Sequence, residues 1–362
     1  MVQVALRQFD TAISLQRPMF DLERILLFHL ELTDKCNAAC PMCGRTQPAD
    51  RCRPDRAKVK NIELTLGDIC KAFTPKICRR ILQIDLCGGL GDPPAASQCL
   101  EICEYFVAQG VIVTLSTNGG LRNAKWWRQL GEIFRRNDSL VEFHIDGLED
   151  TNHLYRVNTR FSKIMENARH YLDSGATGEW HFIVFRHNQH QVEEAVTLSR
   201  QLGFSNFKLI DTIRFGKEKR FEYQAPDGNI RCLEPSTMPA VDLRRNTGQP
   251  DVDVSATSYI ENRDSLHVNG IKCKSAIQNR PYIVADGSVS ACCWIQGSDD
   301  EKQMYLRASH RPENHNILQR PLEEILTEEP FISIYRSAWE NGNNPVCIRK
   351  CGQMRRNVRL TL

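Results

Sequence analysis

The chain has 362 residues, 41% of them hydrophobic and 25% charged, enough for one large or two ordinary globular domains. A formal net charge of +3 is too small to point to nucleic acid, and no apolar run nears the roughly 20 residues of a membrane span. Met1 to Arg24 lacks the basic-then-apolar layout of an export signal, so a cytoplasmic location is expected, and the fifteen cysteines point to metal rather than disulfides.

From Leu26 onward, strand-like apolar runs alternate with helix-period segments. The first run, Leu26 to Leu32, leads into Cys36-Asn37-Ala38-Ala39-Cys40-Pro41-Met42-Cys43. Three thiols spaced by three and then two residues can converge on one metal site. They are one ligand short of a closed tetrahedron, which leaves a metal position open for chemistry. Zinc, or three buried free cysteines, is the plain alternative. A Thr65-x-x-Asp68 capping box then starts a helix with Leu66, Ile69, Cys70 and Phe73 on one face. The strand Ile81 to Leu86 runs into Cys87-Gly88-Gly89-Leu90-Gly91-Asp92-Pro93, where glycines let the backbone turn sharply and approach a ligand.

Residues 97–109 have a helical stripe in which Cys99 and Cys103 join Ile102 and Phe106, so these thiols read as core. The strand Val111 to Leu115 ends in Ser116-Thr117-Asn118-Gly119. A helix over 123–135 precedes the strand Leu140 to Ile145, whose end reads His144-Ile145-Asp146-Gly147 with Tyr155-Arg156 beyond. Helix 161–172, strand Trp180 to Phe185, helix 192–202 closed by Gly203, and strand Asn206 to Ile210 complete six repeats. His187 and His190 read as a polar loop rather than a metal pair, for no third ligand is near in sequence. Six strand–helix repeats imply parallel strands with right-handed crossovers, a sheet curling toward a barrel, and ligands at the C-terminal strand ends.

The pattern dissolves at about Thr212 and resumes near Cys273. Thirteen residues then separate Cys273 from Gly287, four separate Gly287 from Cys292, and Cys293, Cys347 and Cys351 follow. Residues 281–290 read as a hairpin with an Asp286-Gly287 turn, and a helix is expected around 321–340. Four thiolates suit zinc as well as an iron–sulfur cluster, and Cys293 rivals Cys292 as a ligand. The basic tail of Arg349, Lys350, Arg355, Arg356 and Arg359 reads as solvated surface.

Cys36-x3-Cys40-x2-Cys43 after a first strand resembles the cluster loop of radical SAM (S-adenosylmethionine) enzymes. The resemblance implies a [4Fe–4S] cluster on Cys36, Cys40 and Cys43 with SAM on the fourth iron. Reduction would then yield a 5′-deoxyadenosyl radical that takes a hydrogen from substrate. Gly88, Gly89 and Asp92 resemble the family's Gly-Gly-Glu region, with Asp-Pro for Glu-Pro. Thr117 and Asn118 are similar to its Thr-Asn-Gly turn. His144 stands where relatives have Ser, Arg156 is the implied partner of the SAM carboxylate, and Met42 sits where an aromatic lies beside adenine. Cys273, Cys292, Cys347 and Cys351 resemble the auxiliary-cluster module of SPASM and Twitch proteins; four cysteines fit the one-cluster Twitch type.

The implied fold is α/β, a partial (β/α)6 TIM-like barrel with a small C-terminal iron–sulfur domain of β-hairpin plus helix. Its segments are an N-terminal extension 1–24, the barrel 25–215, a linker or insertion 216–269 and the auxiliary domain 270–362. A flavodoxin- or ferredoxin-type donor would supply the electron. The implied substrate is a peptide or protein, altered by oxidation, crosslinking or epimerisation. Dehydrogenation of a sugar or cyclitol carbinol is the alternative, and a non-catalytic zinc-binding protein is the reading of another class. Epimerisation needs a hydrogen-donor thiol, for which Cys293, Cys232 and Cys87 are candidates.

Overall fold

The computed structural model describes Phe20 and residues 26–212, 214–215, 219–238, 268–271, 273, 275, 278–296, 301–302, 304, 311–328, 335 and 344–354. Much of the 216–269 segment, parts of the helix expected around 321–340, and Arg355, Arg356 and Arg359 lie outside the described residues.

Six strands fall on the six apolar runs: β1 Leu26–Leu30, β2 Ile81–Leu86, β3 Ile112–Thr117, β4 Leu140–His144, β5 Thr177–Ile183 and β6 Asn206–Ile210. The later hairpin adds β7 Tyr282–Ile283 and β8 Val289–Ser290. Together they make one eight-stranded sheet in the order β8-β7-β1-β2-β3-β4-β5-β6. The pairings from β2 through β6 are all parallel, and β7–β8 is antiparallel. The expected α/β architecture of strand and crossover helix is therefore present.

The chain divides into two compact units, residues 30–70 with 83–263, and residues 1–29 with 71–82 and 264–362. In the larger unit the connecting helices are α1 Leu66–Ala72, α2 Cys99–Ala108, α3 Ala124–Phe134, α4 Phe161–Leu172 and α5 Val192–Gln201. Local chemistry fixes their ends. The Thr65 hydroxyl accepts from the Asp68 N–H, and the Asp68 carboxylate accepts from the Thr65 N–H. Asn123 caps α3 by accepting from the Trp126 N–H, and Gly203 at φ +84° follows α5. Cys99 and Cys103 are fully buried with Ile102 and Phe106, as the stripe predicts; Cys70 is half-buried.

The helices cover one face of the parallel strands. Phe143 on β4 is ringed by Trp127, Tyr171 and Phe204 at centroid distances of 5.3, 5.8 and 5.7 Å. Such aromatic pairs contribute about 0.5–1.5 kcal/mol each beyond area burial. The other face is polar, carrying Gln83, Asp85, Thr114, Ser116, Glu142, His144, Glu179 and His181 at alternate positions. Parallel strands buried on both faces are usually apolar throughout. This polar inner face is the first sign of a site.

In the smaller unit β7 and β8 pair Tyr282 with Ser290 and Ile283 with Val289 around the Asp286-Gly287 turn, where Gly287 takes φ +85°. Helices Leu322–Thr327 (α6) and Pro345–Cys351 (α7) follow, and Val268–Ile271 pairs antiparallel with Gly352–Met354. In the 216–269 segment, Phe221–Gln224 pairs antiparallel with Ile230–Leu233.

Candidate functional site

The loops after β1, β2, β3 and β4 meet in one cleft. Cys36, Cys40, Cys43, Cys87, the run Gly88 to Asp92, Ser116, Thr117, Asn118, His144 and Arg156 all line it. Residues more than a hundred positions apart in sequence thus converge where the parallel strands end.

One close contact sets the glycine loop against the chain leading into the cysteine loop, and a second lies within the glycine loop. A Cβ on Gly91 would stand 1.8 Å from the carbonyl oxygen of Thr33, and one on Gly88 would stand 2.2 Å from the carbonyl oxygen of Gly91. Neither position tolerates a side chain. Arg45, buried just past the third cysteine, donates from one nitrogen to the carbonyls of Asp34 (2.7 Å) and Leu90 (2.6 Å). The buried Glu31 carboxylate accepts the Gly89 N–H. Asp92 turns inward, accepting from the Thr117 hydroxyl at 3.1 Å and the Asn118 N–H at 3.2 Å. Burial raises its pKa to about 6 against the pull of these donors and of Arg156 and Arg45.

The thiols are free. Burial pushes the Cys40 thiol up to about 11 and that of Cys36 higher still, so both are neutral in the bare protein at pH 7. Yet donors are aimed at the sulfurs. The Ala38 N–H lies 3.3 Å and the Asn118 amide 3.7 Å from Cys36 Sγ, and an Arg156 guanidinium nitrogen lies 3.8 Å from Cys40 Sγ. Metal-bound thiolates need such donors, and neutral thiols do not. Three convergent thiols without a fourth fit a cluster with one open iron.

Arg156 is held in place by Asp146. Its Nε donates at 2.6 Å to a carboxylate that is fully buried and also accepts the Ile183 N–H at 2.6 Å. Arg156 lines the cleft, where its guanidinium can meet an anion. Burial, then the nearby Arg156 charge, lowers the His144 pKa well below its usual value, so its ring is neutral. Met42 is not among the lining residues; it packs against the apolar cluster of Ala38, Ala39, Cys40, Cys52 and Tyr155, and its carbonyl accepts from Arg214. His187 stacks on Phe185, and His190 is exposed.

The smaller unit holds the second cysteine set. Cys273 is buried; Cys292, Cys347 and Cys351 are half-buried. Cys347 and Cys351 lie one turn apart on α7, whose first turn is capped by Asn344 accepting the Cys347 N–H at 2.9 Å. Burial raises the pKa of the Cys292 thiol, against the pull of N–H bonds from Ile295 and Trp294. Cys293 is exposed. Of the candidate donor thiols, Cys87 lines the cleft, while Cys232 is exposed on the 230–233 strand.

Comparison with protein families and with curated proteins finds no match. Solved structures do match. SuiB of Streptococcus suis aligns at TM-score 0.56 and 13% identity over 87% of this chain and 68% of SuiB. Its structures include one bound to S-adenosylmethionine and one bound to the precursor peptide SuiA. The protein anSMEcpe, with bound AdoMet, aligns at TM-score 0.52 and 18% identity over 85% of this chain and 83% of its own.

The chain shares the fold of SuiB and anSMEcpe. In that frame the triplet, the Gly-Gly-x-Gly-Asp turn, Thr117-Asn118 and Arg156 sit together at the strand ends where a cofactor would lie. Sequence reasoning missed Glu31, Arg45 and Asp146. Glu31 was open to detection as the one acid in an apolar strand; Arg45 gave no signal.

Proposed function

We propose that this chain is a radical SAM enzyme acting on a peptide. The observation that carries the reading is the convergence of three free thiols, with N–H donors at two of the sulfurs, on the cleft lined by Gly88, Gly89, Asp92, Thr117, Asn118 and Arg156. Cys36, Cys40 and Cys43 would hold a [4Fe–4S] cluster, which with SAM supplies hydrogen abstraction by a 5′-deoxyadenosyl radical. Arg156, fixed by Asp146, meets the SAM carboxylate, and the carbonyls and carboxylate of the glycine turn meet its amino group. Cys273, Cys292, Cys347 and Cys351 hold one auxiliary cluster. A flavodoxin or ferredoxin delivers the electron. The peptide substrate is supported by the fold shared with SuiB and anSMEcpe, whose structures include peptide complexes.

Anaerobic reconstitution with iron and sulfide tests the reading. Wild type is expected to bind about eight irons and Cys36/Cys40/Cys43→Ala about four. With dithionite and SAM, wild type forms 5′-deoxyadenosine and the variant does not. Zinc in place of iron in both proteins would replace the radical reading with that of a zinc-binding protein. Turnover of a free sugar with no change in any peptide would move the substrate to the carbinol class.

A further inference from the structure

Strands β4 and β5 carry one tripeptide pattern twice, Glu142-Phe143-His144 and Glu179-Trp180-His181. Their parallel register sets Glu142 opposite Glu179 and His144 opposite His181. Phe143 and Trp180 are fully buried on the helix side, so both acids and both imidazoles share the inner face. Like groups directly opposite are unfavourable in a sheet. Here two such rungs are stacked, with the glutamates about a quarter exposed and His181 only 4% exposed.

The separations suit a shared ion better than hydrogen bonds. Glu142 Oε1 is 3.8 Å from His181 Nε2, and Glu142 Oε2 is 3.9 Å from His144 Nε2. Both are too long for hydrogen bonds. Two donors on one ion with bonds of about 2.1 Å stand roughly 3.0–3.5 Å apart, so a closure of about half an ångström brings these atoms to ligand spacing. One donor atom from each of Glu142, His144 and His181 lies within 4.8 Å of the other two. Glu179 Oε2 is 2.9 Å from His181 Nε2, and Ser116 donates to Glu142 and steadies it. Lys208, opposite His181 on β6, offsets one of the two carboxylate charges and leaves the group anionic.

We propose that Glu142, His144 and His181 form a site for a divalent first-row transition ion, with Glu179 joining as a fourth ligand. Two imidazoles and carboxylate oxygens without sulfur are the donor set for Zn²⁺, Fe²⁺, Mn²⁺ or Co²⁺. Positions remain open on the ion, and His144 and Ser116 line the cleft, so the exogenous ligand is an oxygen of a bound molecule, as carboxylate, carbonyl or hydroxyl. The inference rests on strand register and stands apart from the radical reading.

The test uses the full chain with its clusters loaded anaerobically, and Mn²⁺ as probe, since nitrogen and oxygen ligands hold it and thiolates scarcely do. Loss of the free-Mn²⁺ electron paramagnetic resonance signal counts bound ions. One Mn²⁺ per wild-type chain is expected, with binding at least tenfold weaker in Glu142→Gln and in His181→Gln. His190→Gln, at an exposed position, keeps wild-type binding. Iron content of each variant reports that its fold is intact; if His181→Gln loses iron, the isosteric Glu142→Gln decides. Absence of stoichiometric Mn²⁺ in wild type, or unchanged binding in Glu142→Gln, overturns the proposal.

Discussion

His187 shows how one side chain writes a pH dependence into the fold. Its ring stacks on Phe185 at 5.3 Å and 13°, and its Nε2 is buried with no hydrogen-bond partner among the described residues. Burial, then the charges of His190 and His153, lowers its pKa to about 4. The unfolded residue titrates near pH 6.5. Between those values the unfolded chain binds the extra proton, so stability present above pH 6.5 is lost as pH falls toward 4. A displacement of that size is worth roughly 3 kcal/mol. His187→Phe keeps the stack and removes the titrating nitrogen. Urea unfolding of both proteins from pH 7 to pH 4 should show the variant losing less stability across that window. Parallel curves would mean the ring is not protected as described.

Among the elements, the glycine turn after β2 carries the tightest constraint. Gly91→Ala places a methyl against the Thr33 carbonyl and drives the turn away from the cysteine loop. Iron bound per chain should fall from about eight toward about four, with the fold otherwise retained. Gly67→Ala, inside α1 with only the Thr65 hydroxyl 3.6 Å from the added carbon, should instead stabilise by about 0.5–1 kcal/mol with iron unchanged. The elements themselves were legible in the sequence, because apolar runs, the Thr65–Asp68 box and the glycine after α5 are local signals. The cysteine triplet and the residues of the strand-end turns were legible for the same reason. What one element does to another was not. Glu31 reaching Gly89, Arg45 joining Asp34 to Leu90, and Glu142 lying against Glu179 depend on register and loop packing, which no window along the chain records.

At the scale of the whole molecule, the two cysteine sets fall in different compact units. Loading of one should therefore survive loss of the other. Cys292→Ser is expected to remove about four irons and leave the triplet cluster, while Cys293→Ser leaves about eight, because Cys292 is half-buried and Cys293 is exposed. Loss of about four irons in Cys293→Ser with none lost in Cys292→Ser would exchange their roles. The smaller unit is also assembled from both ends of the chain. The Leu27 N–H bonds the Asn279 carbonyl at 3.1 Å, and the His29 N–H bonds the Pro281 carbonyl at 3.1 Å. During synthesis this edge of the first strand waits for partners made about 250 residues later. An unpaired strand edge is a template for association with other chains. The nascent protein is thus most exposed to aggregation through β1, over the interval in which its cysteine triplet is already made and its closing hairpin is not.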